Sequence, residues 1–463
     1  MAIKRAVLFG AALLASAAVA DTYTWNNVVM GGGGMVTGLI PTNESGLMYA
    51  RTDVGGAYRW NAASAKWTPL LDWLSQADVG LYGVESMAAD PQNAARVYLL
   101  TGTSYYSNGK TVVMRSKDYG ATFDTTDVTS KWKAHGNGDG RQAGEKLAVD
   151  PNNPAILFCG TRSNTLYKST DTAKTWTLAN SNFGSANANG VNFVLFDSTS
   201  VSGGKTQRIF VGVGASGGLY VSTDGGGSFS KVSNVPSYIP HRAMIAGGNL
   251  YVTFTSGIGP WGTLTGGFYR YSISGGTWTS LTPSGCSSCG YGNVSVDKSN
   301  TNRILLSTSG MWSNQQTYSA TNKTNWGDYI FLSTDGGSNW TVVNKNIANN
   351  GFKWLDGNAI HVASSAVFNP FNTKEAWVNS GNGIFETSAF NGTGTVWNFM
   401  VKGVEETVPL DIVSIPDGPL AVAVGDYDGG VYTDVSQSVA LPNPSIGTTT
   451  GLAYAYTKKR LVR

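Results

Sequence analysis

Along the chain, short apolar and β-branched runs such as Arg96-Val-Tyr-Leu-Leu100 and Arg303-Ile-Leu-Leu-Ser307 each follow a polar turn, here Asp90-Pro-Gln-Asn93 and Asp297-Lys-Ser-Asn300. Asp150-Pro-Asn-Asn153 and Asn369-Pro-Phe-Asn372 repeat the pattern. Such turn-then-strand punctuation predicts β-strands. No segment sustains the 3.6-residue period of an amphipathic helix.

A second pattern sets the architecture. The phrase Ser-x-Asp-x-Gly-x-(Thr/Ser)-aromatic recurs as Ser116 to Phe123 and Ser222 to Phe229, and with Asn339 before its aromatic as Ser333 to Trp340; a fourth copy, Ser169 to Trp176, carries Ala173 in place of glycine. Degenerate copies end at Trp67, Trp278 and Trp397, so the closing aromatics fall at 67, 123, 176, 229, 278, 340 and 397. Aromatics spaced this way are what four-stranded propeller blades produce. Ser and Asp side chains bond turn amides, glycine supplies positive φ and the aromatic plugs the sheet. The phrase resembles the Asp-box of sialidase-type propellers, and its aspartates read as structural. The expected fold is all-β: a seven-bladed β-propeller over residues 21–408, followed by the first blade of an incomplete second propeller over 409–463.

Composition agrees and narrows the function. Gly contributes 59 of 463 residues and charged residues 13%, which suits short strands and tight turns. A formal charge of +3 without a basic cluster gives no support for nucleic-acid binding. Lys4 and Arg5, the apolar stretch from Ala6 to Ala15 and Ala18-Val-Ala20 make a secretory signal peptide over residues 1–20. The apolar run is too short to span a bilayer, so the mature protein is expected outside the cell or in a periplasm, with no membrane association. Cys286-Ser-Ser-Cys289 is placed to close a local disulfide, or to carry two free thiols. With three histidines in the chain, no metal site or other cofactor is expected.

Two similar segments stand outside the Asp-box scheme. Leu47-Met-Tyr-Ala-Arg-Thr-Asp53-Val-Gly-Gly and Leu420-Ala-Val-Ala-Val-Gly-Asp426-Tyr-Asp-Gly-Gly each deliver an aspartate from an apolar strand into a glycine-rich turn. Two ordinary Asp-Gly hairpins fit this spacing equally well. A pair of carboxylates facing each other is also what acetal hydrolysis needs: an acid for the leaving oxygen and a base for water. Trp312 and Trp354 lie in loop-like stretches away from the Asp-box plugs. They are candidates to line a sugar cleft, with buried core tryptophans as the alternative.

From Tyr23 onward the chain resembles glycoside hydrolase family 74, the xyloglucanases. The resemblance is carried by Arg51-Thr-Asp-Val-Gly-Gly-Ala-Tyr-Arg-Trp60, Gly83-Val-Glu-Ser-Met-Ala-Ala-Asp-Pro91, Gly140-Arg-Gln-Ala-Gly-Glu-Lys-Leu-Ala-Val-Asp-Pro151, Gly403-Val-Glu-Glu-Thr407 and Gly425-Asp-Tyr-Asp-Gly429. It implies two propellers clasping a cleft and a monomeric enzyme that cleaves the β-1,4-glucan backbone of xyloglucan, a plant cell-wall polysaccharide, with inversion. It makes Asp53 the general base and Asp426 the general acid. The acid must be held protonated, and Asp428 is near enough to help or to be the acid itself. Glu85, Arg141, Glu145 and Glu405 belong to the same motifs, as braces or as sugar contacts.

The sequence also departs from the family. A second propeller needs several hundred residues, whereas this chain reaches Arg463 about one blade into it, which leaves residues from about Pro409 onward with few neighbours. Gly430 stands where relatives often carry an aromatic. Two rival readings are a sialidase, which lacks its Arg-Ile-Pro signature here, and a non-catalytic Asp-box propeller serving as a polysaccharide-binding or assembly scaffold.

Overall fold

The computed structural model describes residues 27–184, 189–260, 262, 264–311, 327–355 and 360–463. Residues 1–20, expected to be a signal peptide, and Trp312 lie outside the described residues.

Among the described residues, seven antiparallel sheets of four or five strands succeed one another. Their first strands are Val36–Pro41, Val84–Asp90, Leu147–Val149, Val191–Phe196, Ile239–Ala246, Tyr291–Val296 and Ala366–Asn369. Their last are Lys66–Pro69, Asp124–Asp127, Thr177–Asn180, Ser230–Lys231, Thr277–Ser280, Thr341–Val342 and Val396–Phe399. The seventh sheet gains a fifth strand, Asn346–Ala348, which runs parallel to Val396–Phe399. First strands are almost wholly buried and several last strands are exposed. Apolar runs therefore mark the inside of the structure and polar strands its rim.

The sheets form a ring. Each first strand touches the next, and Ala366–Asn369 touches Val36–Pro41. Separate apolar cores fill the interfaces. Tyr98, Leu100 and Val113 meet Leu147, Leu157 and Trp176, for example, and Phe193 and Phe210 meet Leu250 and Phe254. At the closure, Trp60 and Trp67 of the first sheet pack on Trp377 of the seventh, with ring centroids 5.1 and 6.1 Å away. This is an all-β, propeller-like architecture.

The closing aromatics connect neighbours as well as filling sheets. The indole N–H groups of Trp278, Trp340 and Trp397 donate to the carbonyls of Ser233, Leu281 and Asn344 (3.1, 2.9 and 3.2 Å), at the end of the preceding sheet in each case. Trp67 donates to Met400 at 2.8 Å and so ties the first sheet to the last.

Strand direction assigns the turns to two edges. The Asp-boxes join third strands to fourth strands and lie at one edge of the ring. Turns joining second to third strands, and the connections between sheets, lie at the opposite edge. In the first Asp-box, Ser116 Oγ donates to Asp118 at 2.7 Å and receives the Gly120 N–H at 2.8 Å; Asp118 also accepts the Thr122 N–H at 2.9 Å. Gly120 sits at φ 81°, and Ala173 takes the same left-handed conformation at φ 65°.

A further sheet of Pro409–Ser414, Leu420–Val424 and Asp428–Tyr432 follows, then the hairpin Ala453–Ala455 with Arg460–Val462. Ala421, Ala423, Val424 and Tyr432 are buried, whereas Val408, Leu410, Ile412 and Val431 are exposed. Cys286 and Cys289 are disulfide-bonded, and Cys159 is a buried free thiol.

The turn hydrogen bonds hold the Asp118 carboxyl down at about 2, below its ordinary 3.8. Its contribution is therefore complete above pH 3.8 and lost as pH falls toward 2. Asp118→Ala is expected to cost about 1 kcal/mol at neutral pH, a typical loss for a side chain that caps backbone N–H groups near water. Urea unfolding should show the difference from wild type closing across that acidic window.

Candidate active site

Asp53 ends the second strand of the first sheet, Met48–Thr52, and opens the turn to Ala57–Asn61. Thr52 shapes that turn: its hydroxyl donates to the Gly56 carbonyl (2.9 Å) and accepts the Gly55 N–H (3.0 Å). Gly56 is left-handed at φ 88°, which glycine adopts without steric cost. Asp53 lies on the edge opposite the Asp-boxes and is 6% exposed.

Arg141 Nε stands 2.7 Å from Asp53 Oδ2. The loop carrying Arg141 is bolted by Arg51, whose guanidinium is wholly buried and donates to the carbonyls of Arg141 (3.0 Å) and Ala143 (3.1 Å) while pairing with Glu145 at 2.8 Å. Arg242 adds a bond to the Gln142 carbonyl. Glu85 is likewise a brace, held by Lys146 and Arg162 at 2.6 and 2.9 Å. Of the four motif residues with open roles, Arg141 touches the candidate base, while Glu85 and Glu145 hold sheets together.

Glu406 carries no separate signal in the sequence. It follows the seventh sheet, is 1% exposed and lies beside Asp53, close enough for the two carboxyls to interact. Its Oε1 accepts the Val54 N–H at 3.0 Å across 352 positions of sequence. A Cβ on Gly55 would fall 1.7 Å from Glu406 Oε2, so this glycine makes room for the second carboxyl. Burial pushes the Asp53 carboxyl up, opposed by Arg141 and by the Glu406 carboxyl beside it. Burial and the Asp53 charge both push Glu406 up. The pair therefore favours an ionised Asp53 beside a neutral Glu406.

Asp426 occupies the corresponding turn of the 409–432 sheet, between Leu420–Val424 and Asp428–Tyr432. It is exposed, left-handed at φ 67°, and its N–H donates to Thr448 Oγ1 at 2.9 Å. No hydrogen bond or ion pair joins it to Asp53 among the described residues. The two regions are linked instead through Tyr427, whose hydroxyl donates to Asn382 Oδ1 at 2.7 Å, while the Asn382 carbonyl accepts the Gly33 N–H at 3.0 Å. Gly32 in turn bridges to Glu405, next to Glu406.

Two expectations change. Trp354 does not line a cleft: it is 1% exposed, its indole N–H points at the Met30 and Gly31 carbonyls (3.0 and 3.2 Å), and its ring packs on Tyr427 at 4.7 Å. Its loop is held against the amino-terminal segment, and what the tryptophan supports is the residue beside Asp426. Asp428 is unsuited to donate a proton. Burial pushes its carboxyl up, but donors at Ser445, Ile446, Gly447 and Thr449 outweigh this and hold it low, as the anchor of its hairpin. A cleft of about 770 Å³ separates the ring from the 409–432 sheet. Its walls include Asp72, Tyr82 and Glu405 on one side and Leu410, Ile412 and Tyr432 on the other. Neither Asp53 nor Asp426 is among its lining residues.

No family model matches the chain. Individual relatives do. The chain is 34% identical to a xyloglucanase of Paenibacillus sp, over 96% of this chain and 47% of that protein. It is 33% identical to a xyloglucanase of Acetivibrio thermocellus, over 98% and 59%. Among solved structures, a GH74 enzyme of Niastella koreensis superposes with a TM-score of 0.88 at 48% identity, over 93% of this chain and 63% of that one. A GH74 xyloglucanase of Xanthomonas campestris gives 0.81 at 32%, over 92% and 62%. The class these similarities define is the glycoside hydrolases. Within that class the chain is similar to family 74 enzymes, and it spans between 47% and 63% of the length of these relatives.

Glu405 offers a pH test of this region. It accepts the Met30 and Gly31 N–H groups at 3.1 Å, yet burial pushes its carboxyl from 4.5 up to about 7. Between those values the folded form binds more protons than the unfolded form, so this group's stabilisation is present below pH 4.5 and is lost as pH rises toward 7. Glu405→Gln should flatten the decline in stability that wild type shows over that interval, read by urea unfolding at each end.

Proposed function

We propose that this chain carries the catalytic carboxylates of a xyloglucan-degrading glycoside hydrolase that cleaves the β-1,4-glucan backbone with inversion. Asp426 protonates the glycosidic oxygen. Asp53 removes a proton from a water that attacks the anomeric carbon from the opposite face. The oxygen–carbon bond to the leaving sugar breaks as the bond from water forms, and the new reducing end has inverted configuration. A water must fit between the carboxyls, which in inverting enzymes stand about 6.5–9.5 Å apart.

One observation carries the reading: Asp53 is a buried carboxylate ion-paired to Arg141 and set beside a second buried carboxyl, in a turn at the edge where sheet connections converge. A structural aspartate has no need of such a setting, whereas strongly perturbed, paired acids concentrate at functional sites. The exposed turn of Asp426 leaves its carboxyl reachable by a polysaccharide. That relatives of similar sequence are xyloglucanases supports the substrate.

The same proposal assigns the seven sheets of residues 21–408 as blades of one propeller and 409–463 as the opening blade of a second. It has the protein secreted as a monomer after removal of residues 1–20, with Trp312 contacting sugar. The 409–432 sheet exposes Leu410 and Ile412, as a first blade awaiting neighbours does.

Reducing-end release from xyloglucan tests the roles. Asp53→Ala and Asp426→Ala should each lower turnover by at least about 100-fold, and proton NMR of the first products should show the inverted anomer. Undiminished release by Asp53→Ala removes the base from the scheme. Binding of xyloglucan without release by wild type would favour a non-catalytic scaffold.

A further inference from the structure

Glu406 contributes neither the acid nor the base of the scheme above, yet its carboxyl stands beside that of Asp53. Its burial is nearly complete, at 1% exposure. Oε1 is engaged by the Val54 N–H at 3.0 Å, while Oε2 is buried and receives no donor. A buried carboxylate oxygen without a donor is costly, whereas the hydroxyl of a neutral carboxyl needs only an acceptor. The Asp53 carboxylate beside it can supply that acceptor.

The surrounding charges agree. On the first sheet, Asp53, Thr52 and the Val54 amide face Glu406, and Tyr58 lies close by with its hydroxyl on the Glu405 carbonyl. The amino-terminal segment packs through Gly32 and Gly34, and adjacent Glu405 turns away to the Met30 and Gly31 amides. Among the described residues Glu406 makes no ion pair; the arginine of the site, Arg141, is paired with Asp53. Two contacting buried carboxyls with a cation at one of them hold a single proton on the other.

We propose that Glu406 is a positioning residue that stays neutral and donates its proton as a hydrogen bond to Asp53, holding the base ionised and in one orientation against Arg141. The inference rests on the reading of Asp53 as the base. In a buried site the bond compensates for lost water and keeps Asp53 ready to take a proton at mildly acidic pH. Gly55 belongs to the device, because any side chain there would displace the donor.

The test compares Glu406→Gln with Glu406→Leu in the full-length protein, following kcat and KM on xyloglucan across pH. Gln retains a donor and should keep kcat within about threefold, with the acidic limb of the profile unmoved. Leu removes the donor and should lower kcat about tenfold or more at constant KM, while moving the acidic limb up by about one pH unit. A downward shift in Gln would mean that Glu406 is the ionised partner, and equal losses in both variants without a limb shift would mean a purely structural role; either overturns the proposal. One readout is independent of variant folding and of activity. Wild-type protein labelled with carbon-13 at glutamate carboxyls should keep the infrared band of a protonated carboxyl at about pH 9, well beyond the Glu405 titration. Absence of the band overturns the proposal. Asp53→Ala runs alongside: an active Asp53→Ala sinks the base assignment, whereas an inactive Asp53→Ala with an unaffected Leu variant sinks only the role of Glu406.

Discussion

Closure of the ring is the constraint on which everything else depends. Seven sheets in sequence have two free faces until the first packs on the last, and here Trp60 and Trp67 pack on Trp377 while the Trp67 indole bonds to Met400. Closure buries the remaining apolar faces, and it returns residues near 400 to residues near 30 and 50. The bridge from Gly32 to Glu405 and the bond from Val54 to Glu406 follow from it. Without closure Asp53 would keep its turn but lose its second carboxyl.

The charged groups divide by depth in the fold. Buried Arg51 and Arg242 and half-buried Glu145 form a polar plug whose donors hold the carbonyls of residues 141–143. Buried pairs of this kind add little net stability, because desolvation offsets attraction, but they specify geometry. The geometry specified is the approach of Arg141 to Asp53. Asp426 stands at the other extreme, on an exposed turn supported through Tyr427 and the buried Trp354. A rigid, shielded carboxyl at Asp53 and a solvent-facing one at Asp426 thus stand on separate sheets.

Much of the fold was legible because its signals are local. An Asp-box needs eight consecutive residues, so Ser116, Asp118 and Gly120 disclose their turn without help from the rest of the chain. Even the degenerate copy kept its shape, with Ala173 forced into the left-handed region. Asp53 was visible by its strand-to-glycine-turn context and by family resemblance. For Trp354 the sequence leaves both readings open, because a loop position says nothing of whether another segment covers it, and here Met30 and Gly31 do. Asp428 resembled a second acid until the hairpin from Ser445 to Thr449 surrounded it with donors.

By itself, then, the sequence determined the strands, the turns, the sheet spacing and the family resemblance, all of which rest on contacts between near neighbours or on motif order. Only the tertiary structure decided which carboxyls meet, which tryptophans are buried and which arginines brace the site from within. The physical reason is that charge and burial are set by whatever surrounds a side chain. In a closed ring, the decisive neighbour of Asp53 comes from the far end of the chain.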